Sequence, residues 1–168
     1  DKVVAVIGYG NQGRAQAKNL RDSGVSVCIG LREDSTSFDN AVQDGFNCLP
    51  IDKAVKKSDI VSMLIPDQEI PRCFNSEVAP NLERGKVLLF SHGYNIHYKC
   101  IEVPEGVSVV MVAPSGPGVM VRSLFKSGKG VPTLVAVEID HGDALKIALS
   151  YSKAIGGTRA CAFLSTFR

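Results

Sequence analysis

Residues 3–20 read VVAVIGYGNQGRAQAKNL. A β-branched apolar run breaks at Gly8, Gly10 and Gly13, spaced G-x-G-x-x-G, and gives way to polar, helix-favouring sequence. A strand, a tight glycine turn and a helix are the expected local structure. In such a turn the first glycine permits the bend and the second lets a pyrophosphate approach the backbone. The third lets helix and strand pack closely. The helix N-terminus adds unpaired N–H groups and the positive end of its dipole. Alone the pattern is weak, but at the first strand–helix junction of a βαβ unit it points to a dinucleotide site.

Outward from this turn, near-continuous apolar runs recur at 25–30, 60–66, 86–92, 107–114 and 133–139. Such runs suit strands buried on both faces rather than strands with one face in water. Polar or amphipathic segments separate them. Residues 11–23, 37–45 and 53–58 read as helices, and 143–155 sets Ala144, Ile147, Ala148, Tyr151 and Ile155 on one helical face. Gly24 falls where the first helix should stop. Alternating strands and helices predict an α/β fold: a doubly wound, mainly parallel, Rossmann-like sheet in three αβα layers.

The chain has 168 residues, enough for a single domain spanning 1–168. Charged residues make up 21% and the net charge is +2, with the basic residues scattered, so neither nucleic acid nor a membrane surface is an expected partner. No run approaches a membrane span, and the first strand begins at Val3, so the chain opens abruptly inside the fold and reads as an excised or processed piece. Five cysteines, widely spaced and with no CxxC pair, fit free thiols in a reducing cytoplasm.

The second strand should end near the adenosine ribose, and its tip reads GLREDSTS. Arg32, Ser35 and Ser37 suit a 2′-phosphate, because a guanidinium binds phosphate through a two-pronged fork. Glu33 and Asp34 argue the other way, since either could take a ribose diol. NADP(H) is preferred over NAD(H) on this balance. The serines also fit plain helix capping.

Three further strands end in unusual loops: LIPDQEIP, FSHGYNIH and VAPSGPGVMVR. Ligands in open α/β sheets sit beyond the carboxyl ends of the strands, so one pocket is expected to gather these loops. His92 could move a proton or bond a substrate oxygen, or it could be a hydrogen-bonded structural histidine. His97 reads as structural, His141 as a turn or cap, and Ser115 as a turn residue without a neighbouring base. No spacing suggests a metal site.

The stretches VIGYGNQGRAQAKNLRDSGVSVCIGLRE, SHGYNIH, MVAPSGPG, VRSLF, GVPTLVAV and AIGGTRA…STF, in this order, resemble the N-terminal domain of ketol-acid reductoisomerase (acetohydroxyacid isomeroreductase) in its short bacterial form. The resemblance implies a two-step reaction in valine and isoleucine synthesis. A Mg2+-dependent alkyl shift rearranges 2-acetolactate or 2-aceto-2-hydroxybutyrate, and NADPH then reduces the product. It also implies that Tyr9, Gly10, Asn11 and Gln12 contact the pyrophosphate, and that Arg32, Ser35 and Ser37 form the 2′-phosphate loop. Asp67 falls on a cofactor-flanking loop, Gly118 on a glycine near the nicotinamide, and His92 on the family's active-site histidine.

Departures from the family pattern are Asn11 for serine, Arg14 for histidine, Ile70 for a polar residue and Ser115 for lysine. The last removes a positive charge from the polar active-site network. The family's magnesium carboxylates belong to a following segment and a C-terminal helical domain, both expected to be absent here. Two readings follow: an NADP(H)-binding domain unable to complete the reaction as this chain, or a non-catalytic dinucleotide-binding or interaction module. A piece of the enzyme should expose an apolar patch for its missing partner domain, or for self-association, where a standalone module should be polar.

Overall fold

In the computed structural model, which describes residues 2–32 and 34–167, the runs read as strands converge into one eight-stranded sheet. In chain order the elements are β1 (Val3–Ile7), α1 (Asn11–Asp22), β2 (Ser26–Gly30), α2 (Phe38–Gln43), β3 (Asn47–Leu49), α3 (Ile51–Lys57) and β4 (Ile60–Met63). Then come α4 (Ile70–Cys73), β5 (Val87–Phe90), α5 (Tyr94–His97), β6 (Ser108–Pro114), α6 (Gly118–Lys126), β7 (Thr133–Ile139), α7 (Ala144–Ala154) and β8 (Ala162–Leu164). Helix α4 runs on through a π turn at Phe74–Val78 and a 3-10 turn at Ala79–Asn81.

The spatial strand order is β3-β2-β1-β4-β5-β6-β7-β8. All pairings are parallel except β6 with β7. The chain winds outward from β1 through β2 and β3, then crosses to β4 on the other side. That reversal between β1 and β4 is the switch point where such sheets leave a crevice.

Side chains of β1 alternate between two apolar layers, as the two-residue period of a strand requires. Val4 and Val6 pack with Leu20, Ala148 and Tyr151 beneath α1 and α7, whereas Ala5 and Ile7 pack with Ala54, Ile70, Phe74 and Val78 beneath α3 and α4. This is the expected three-layer arrangement. In α7, Ala144, Ala148, Tyr151 and Ile155 are buried and Ile147 is packed against them, so the predicted face is the one that meets the sheet. Gly24 takes the left-handed conformation (φ +82°) just past α1. The short β3, β8, α4, α5 and α6 had no clear periodic signal.

Hydrogen bonds tie most polar groups inside this core, Asn95 Oδ1 being a buried oxygen without a partner among the described residues. Lys86 donates its Nζ to the carbonyls of Val55, Lys56 and Ser58, closing the C-terminus of α3. Asn19 donates to Val121 O and Ile155 O, joining α1 to α6 and α7. A buried chain of bonds runs from Ser62 to Tyr151, from Tyr151 to Gln16, and from Gln16 to Gln12 and Ser91. Ser91 in turn donates to Val112 O, and Gln12 to Gly116 O, so the carboxyl ends of β4, β5 and β6 are tied to the glycine turn.

Candidate dinucleotide site

The glycine turn between β1 and α1 is built as its spacing demands. Gly8 has φ +97°, and a Cβ there would lie 2.6 Å from Ile65 Cγ2. A Cβ on Gly13 would lie 2.5 Å from Gly8 O, so helix and strand touch at that glycine. Gly10 has no atom within 4 Å of its virtual Cβ, which leaves open space beside the backbone. Gly10 caps α1 without a side-chain hydrogen bond, and no acidic residue occupies the first turn. The N–H groups and dipole end of a 12-residue helix therefore face that space without a competing anion.

A cavity of about 420 Å³ opens from the turn across the switch point. Gly8, Tyr9 and Gly10 wall it after β1, Arg32, Ser35 and Ser37 after β2, and Leu64, Ile65 and Pro66 after β4. Its size is that of a small-molecule site, with apolar walls and a few polar groups. Arg32 is 55% exposed and, among the described residues, is held by a 3.8 Å pair with Asp34, an arrangement worth little in water. Ser35 Oγ accepts from Ser37 N, so its O–H can still donate. Ser37 precedes α2 but makes no side-chain cap, so capping does not use its hydroxyl. Glu33 lies outside the described residues.

Tyr9 lines the cavity without lending it a hydroxyl, and the remaining sequence-selected residues lie outside its wall. The Tyr9 side chain is buried and donates its hydroxyl to Asp44 at 2.8 Å. Burial, then the Asp44 bond and its charge, raise the Tyr9 pKa. Asp44 also receives Arg14 at 2.7 Å and Lys18 at 2.6 Å. Burial alone would raise its pKa, but the hydrogen bonds from Arg14, Lys18 and Tyr9 outweigh that and hold the carboxyl well below its ordinary range. Asp44, just past α2, thereby straps that helix to α1. Asn11 begins α1, and the Gln12 amide is turned inward to Gly116. Gly118 is buried, and a Cβ there would lie 2.0 Å from Asn11 O: the seam between α6 and the glycine turn admits only glycine.

His92 occupies a second depression, also of about 420 Å³, with Ser91, Tyr94, Tyr98, Leu134 and Phe167. Its side chain is 68% exposed, and Nδ1 lies 3.1 Å from Asp67 Oδ2. Asn95 donates to Asp67 O at 3.1 Å and reaches Oδ1 at 3.4 Å. The Asp67 carboxylate is thus engaged with His92, and Asp67 does not line the cavity beside Gly10. It orients the imidazole with Nδ1 as donor and leaves Nε2 outward. His97 is exposed beside Tyr98, His141 lies in a loop with its N–H on Ser108 Oγ, and Ser115 is an exposed turn residue bonded to Pro132 O. Among the described residues, no group of three or more His, Cys, Asp or Glu could hold a metal ion.

Sequence reasoning missed one wall of the cavity altogether: Glu69, Arg72, Cys73, Ser76 and Glu77. Their spacing of three and four, with Ile70, Phe74 and Val78 between them, was a helical signal. Pro66 and Pro71 disguised it as a loop.

Residues 1–161 match the family described as the NADPH-binding domain of acetohydroxy acid isomeroreductase. The chain is 54% identical over its whole length to a ketol-acid reductoisomerase (NADP(+)) of Methanopyrus kandleri, covering 52% of that protein. It is 56% identical to one of Pyrobaculum calidifontis over 99% of its length and 51% of the relative's. The structure of an NADH-preferring ketol-acid reductoisomerase from an uncultured archaeon superimposes with a TM-score of 0.97 and 46% identity, over 99% of this chain and 52% of that one. The chain thus spans about half the length of the relatives it matches. With the glycine turn, the crevice and these matches in agreement, the chain belongs to the family of acetohydroxy acid isomeroreductase NADPH-binding domains.

Proposed function

We propose that this chain supplies the NADP(H)-binding half of a ketol-acid reductoisomerase. The observation that carries the reading is the cavity at the switch point, where the open flank of Gly10 and the cation-and-hydroxyl set Arg32, Ser35 and Ser37 line one continuous space. The donors fit the group. Turn and helix N–H groups suit a pyrophosphate, and a guanidinium with two hydroxyls suits a 2′-phosphate. The bound dinucleotide would supply hydride for the reductive step.

This chain's residues bind and orient it. Asp44 fixes the phosphate loop against α1, Gly118 lets the next strand's loop close on the turn, and His92, held by Asp67, offers Nε2 to a substrate oxygen or proton. The described residues do not form a magnesium site, and the rearrangement step is not assigned to them. Its carboxylates belong to the part of the family that this chain does not span. The exposed apolar side chains Tyr94, Tyr98 and Leu134 around His92, with Phe163 and Leu164 on the edge strand β8, mark where that part, or a second copy, would sit. No described helix is long and apolar enough to cross a membrane. The five free cysteines suit a reducing compartment, and the cytoplasm is the location this reading proposes.

A second reading, a dinucleotide-binding module without catalysis, draws on Ser115, a neutral exposed side chain where the family pattern has lysine. Calorimetric titration with NADPH and NADH tests the binding reading. Tight binding with NADPH preferred supports it, and no binding of either overturns it. NADPH oxidation with 2-acetolactate and Mg2+, the C-terminal half of a relative being added in trans, separates the two readings. Turnover supports the enzyme, and binding without turnover supports the module.

A further inference from the structure

The wall of the cavity formed by α4 and its π turn has no part in the reading above. Glu69, Arg72, Cys73, Ser76 and Glu77 form one face of this helical segment and all line the cavity. Ile70, Phe74 and Val78 form the opposite face and are buried in the core. That amphipathic division, together with the π turn, presents a polar stripe to the cavity that Arg32 also lines.

Arg72 is the cation of that stripe. It is exposed, and its guanidinium has no hydrogen-bond or ion-pair partner among the described residues. Glu69 and Glu77 flank it on the same face. A dianionic phosphate held by Arg32 alone would look across the cavity at two carboxylates, a repulsion that only an intervening cation offsets. The two walls lie within electrostatic reach of each other. The Cys73 thiol, pushed up to about 11 chiefly by burial, is pulled the other way by Arg32.

We propose that Arg72 is a specificity-determining residue, gripping the adenosine 2′-phosphate from the side opposite Arg32 so that two guanidinium groups select the phosphorylated dinucleotide. The proposal rests on the dinucleotide reading and assigns its cofactor preference to a wall outside the loop after β2. Guanidinium suits the role because its planar fork makes two parallel bonds to phosphate, which an ammonium does not. The ribose diol of NADH offers no such acceptor, so its binding does not depend on Arg72.

The test is calorimetric titration of the wild-type chain and of Arg72→Ala with NADPH, NADH, 2′,5′-ADP and ADP, with thermal unfolding of both proteins as a fold check. The expected result is an unchanged unfolding midpoint, at least about a tenfold rise in Kd for NADPH and 2′,5′-ADP, and less than about a twofold rise for NADH and ADP. Equal weakening of both classes would place Arg72 against the adenine ring and overturn the proposal, as would unchanged NADPH binding. Should the wild-type chain bind neither class, the dinucleotide reading itself fails. That outcome is distinct from a wild-type chain that binds and a variant that does not differ.

Discussion

The two depressions at the carboxyl edge of the sheet have similar volumes and different completeness. The one beside Gly10 is walled by the segments after β1, β2 and β4 and by α4 with its continuation, and it carries its own cations. The one beside His92 is rimmed by aromatic and aliphatic side chains left in water, with Tyr98 63% and Tyr94 48% exposed. Dinucleotide recognition needs backbone N–H groups, a crevice and a few charges, all of which one βαβαβ unit provides. Chemistry of the kind proposed for His92 would need groups converging from more than one side and water kept out. A single Rossmann-like sheet furnishes the first arrangement by its winding alone, whereas the second depends on what covers the edge.

The seam between the regions is the place to break both at once. Gly118→Ala would drive a Cβ into Asn11 O, 2.0 Å away, and is expected to cost about 3 kcal/mol or more. Urea unfolding checks it, and a midpoint like that of the wild type would mean that α6 can move off the turn.

Gly10→Val separates binding from folding. Its Cβ enters open space, so the unfolding midpoint should barely change, while NADPH affinity falls about a hundredfold because the pyrophosphate can no longer approach the backbone. Retained affinity would show that the ligand lies elsewhere.

Asp44→Asn should lose about 1–2 kcal/mol at pH 7 through weakened bonds to Arg14, Lys18 and Tyr9. Because the folded-state pKa of Asp44 is depressed, its ionised form stabilises the fold above the unfolded carboxylate pKa of about 3.9, and that contribution fades as pH falls below it. Denaturation at pH 7 and pH 3 should therefore show the larger gap between variant and wild type at pH 7. A gap independent of pH would mean that the loss comes from packing.

The smallest effect is expected at His92, 68% exposed. His92→Ala should leave stability within about 0.5 kcal/mol and NADPH affinity within about twofold. Complemented reductoisomerase activity should disappear. A large loss of NADPH affinity would merge the two regions and end the comparison.

Legibility in the sequence followed length and periodicity. The runs at 3–8, 25–30 and 60–66 foretold β1, β2 and β4, because strands buried on both faces have no polar positions to obscure them. Asn47–Leu49 and Ala162–Leu164 were not foreseen, since three residues carry no period. Helix α6 hid behind SGPG, and α4 behind two prolines. At the site, the glycine turn and the loop after β2 could be picked out because each is local, a few residues doing one job. Asp44 could not, because its partners come from 26 and 35 residues away. Nor could the pairing of Asp67 with His92, which joins the ends of two neighbouring strands.

By itself, then, the sequence determined the layered α/β fold and the glycine turn, because backbone conformation and burial pattern are written into adjacent residues. Tertiary structure alone decided which side chains face one another. It turned Tyr9 away to Asp44, put Asp67 on His92, packed Gly118 against Asn11, and brought Arg72 and Arg32 to the wall of one cavity. Those juxtapositions follow from the strand order, and the reversal between β1 and β4 brings segments distant in the chain to the rim of one crevice.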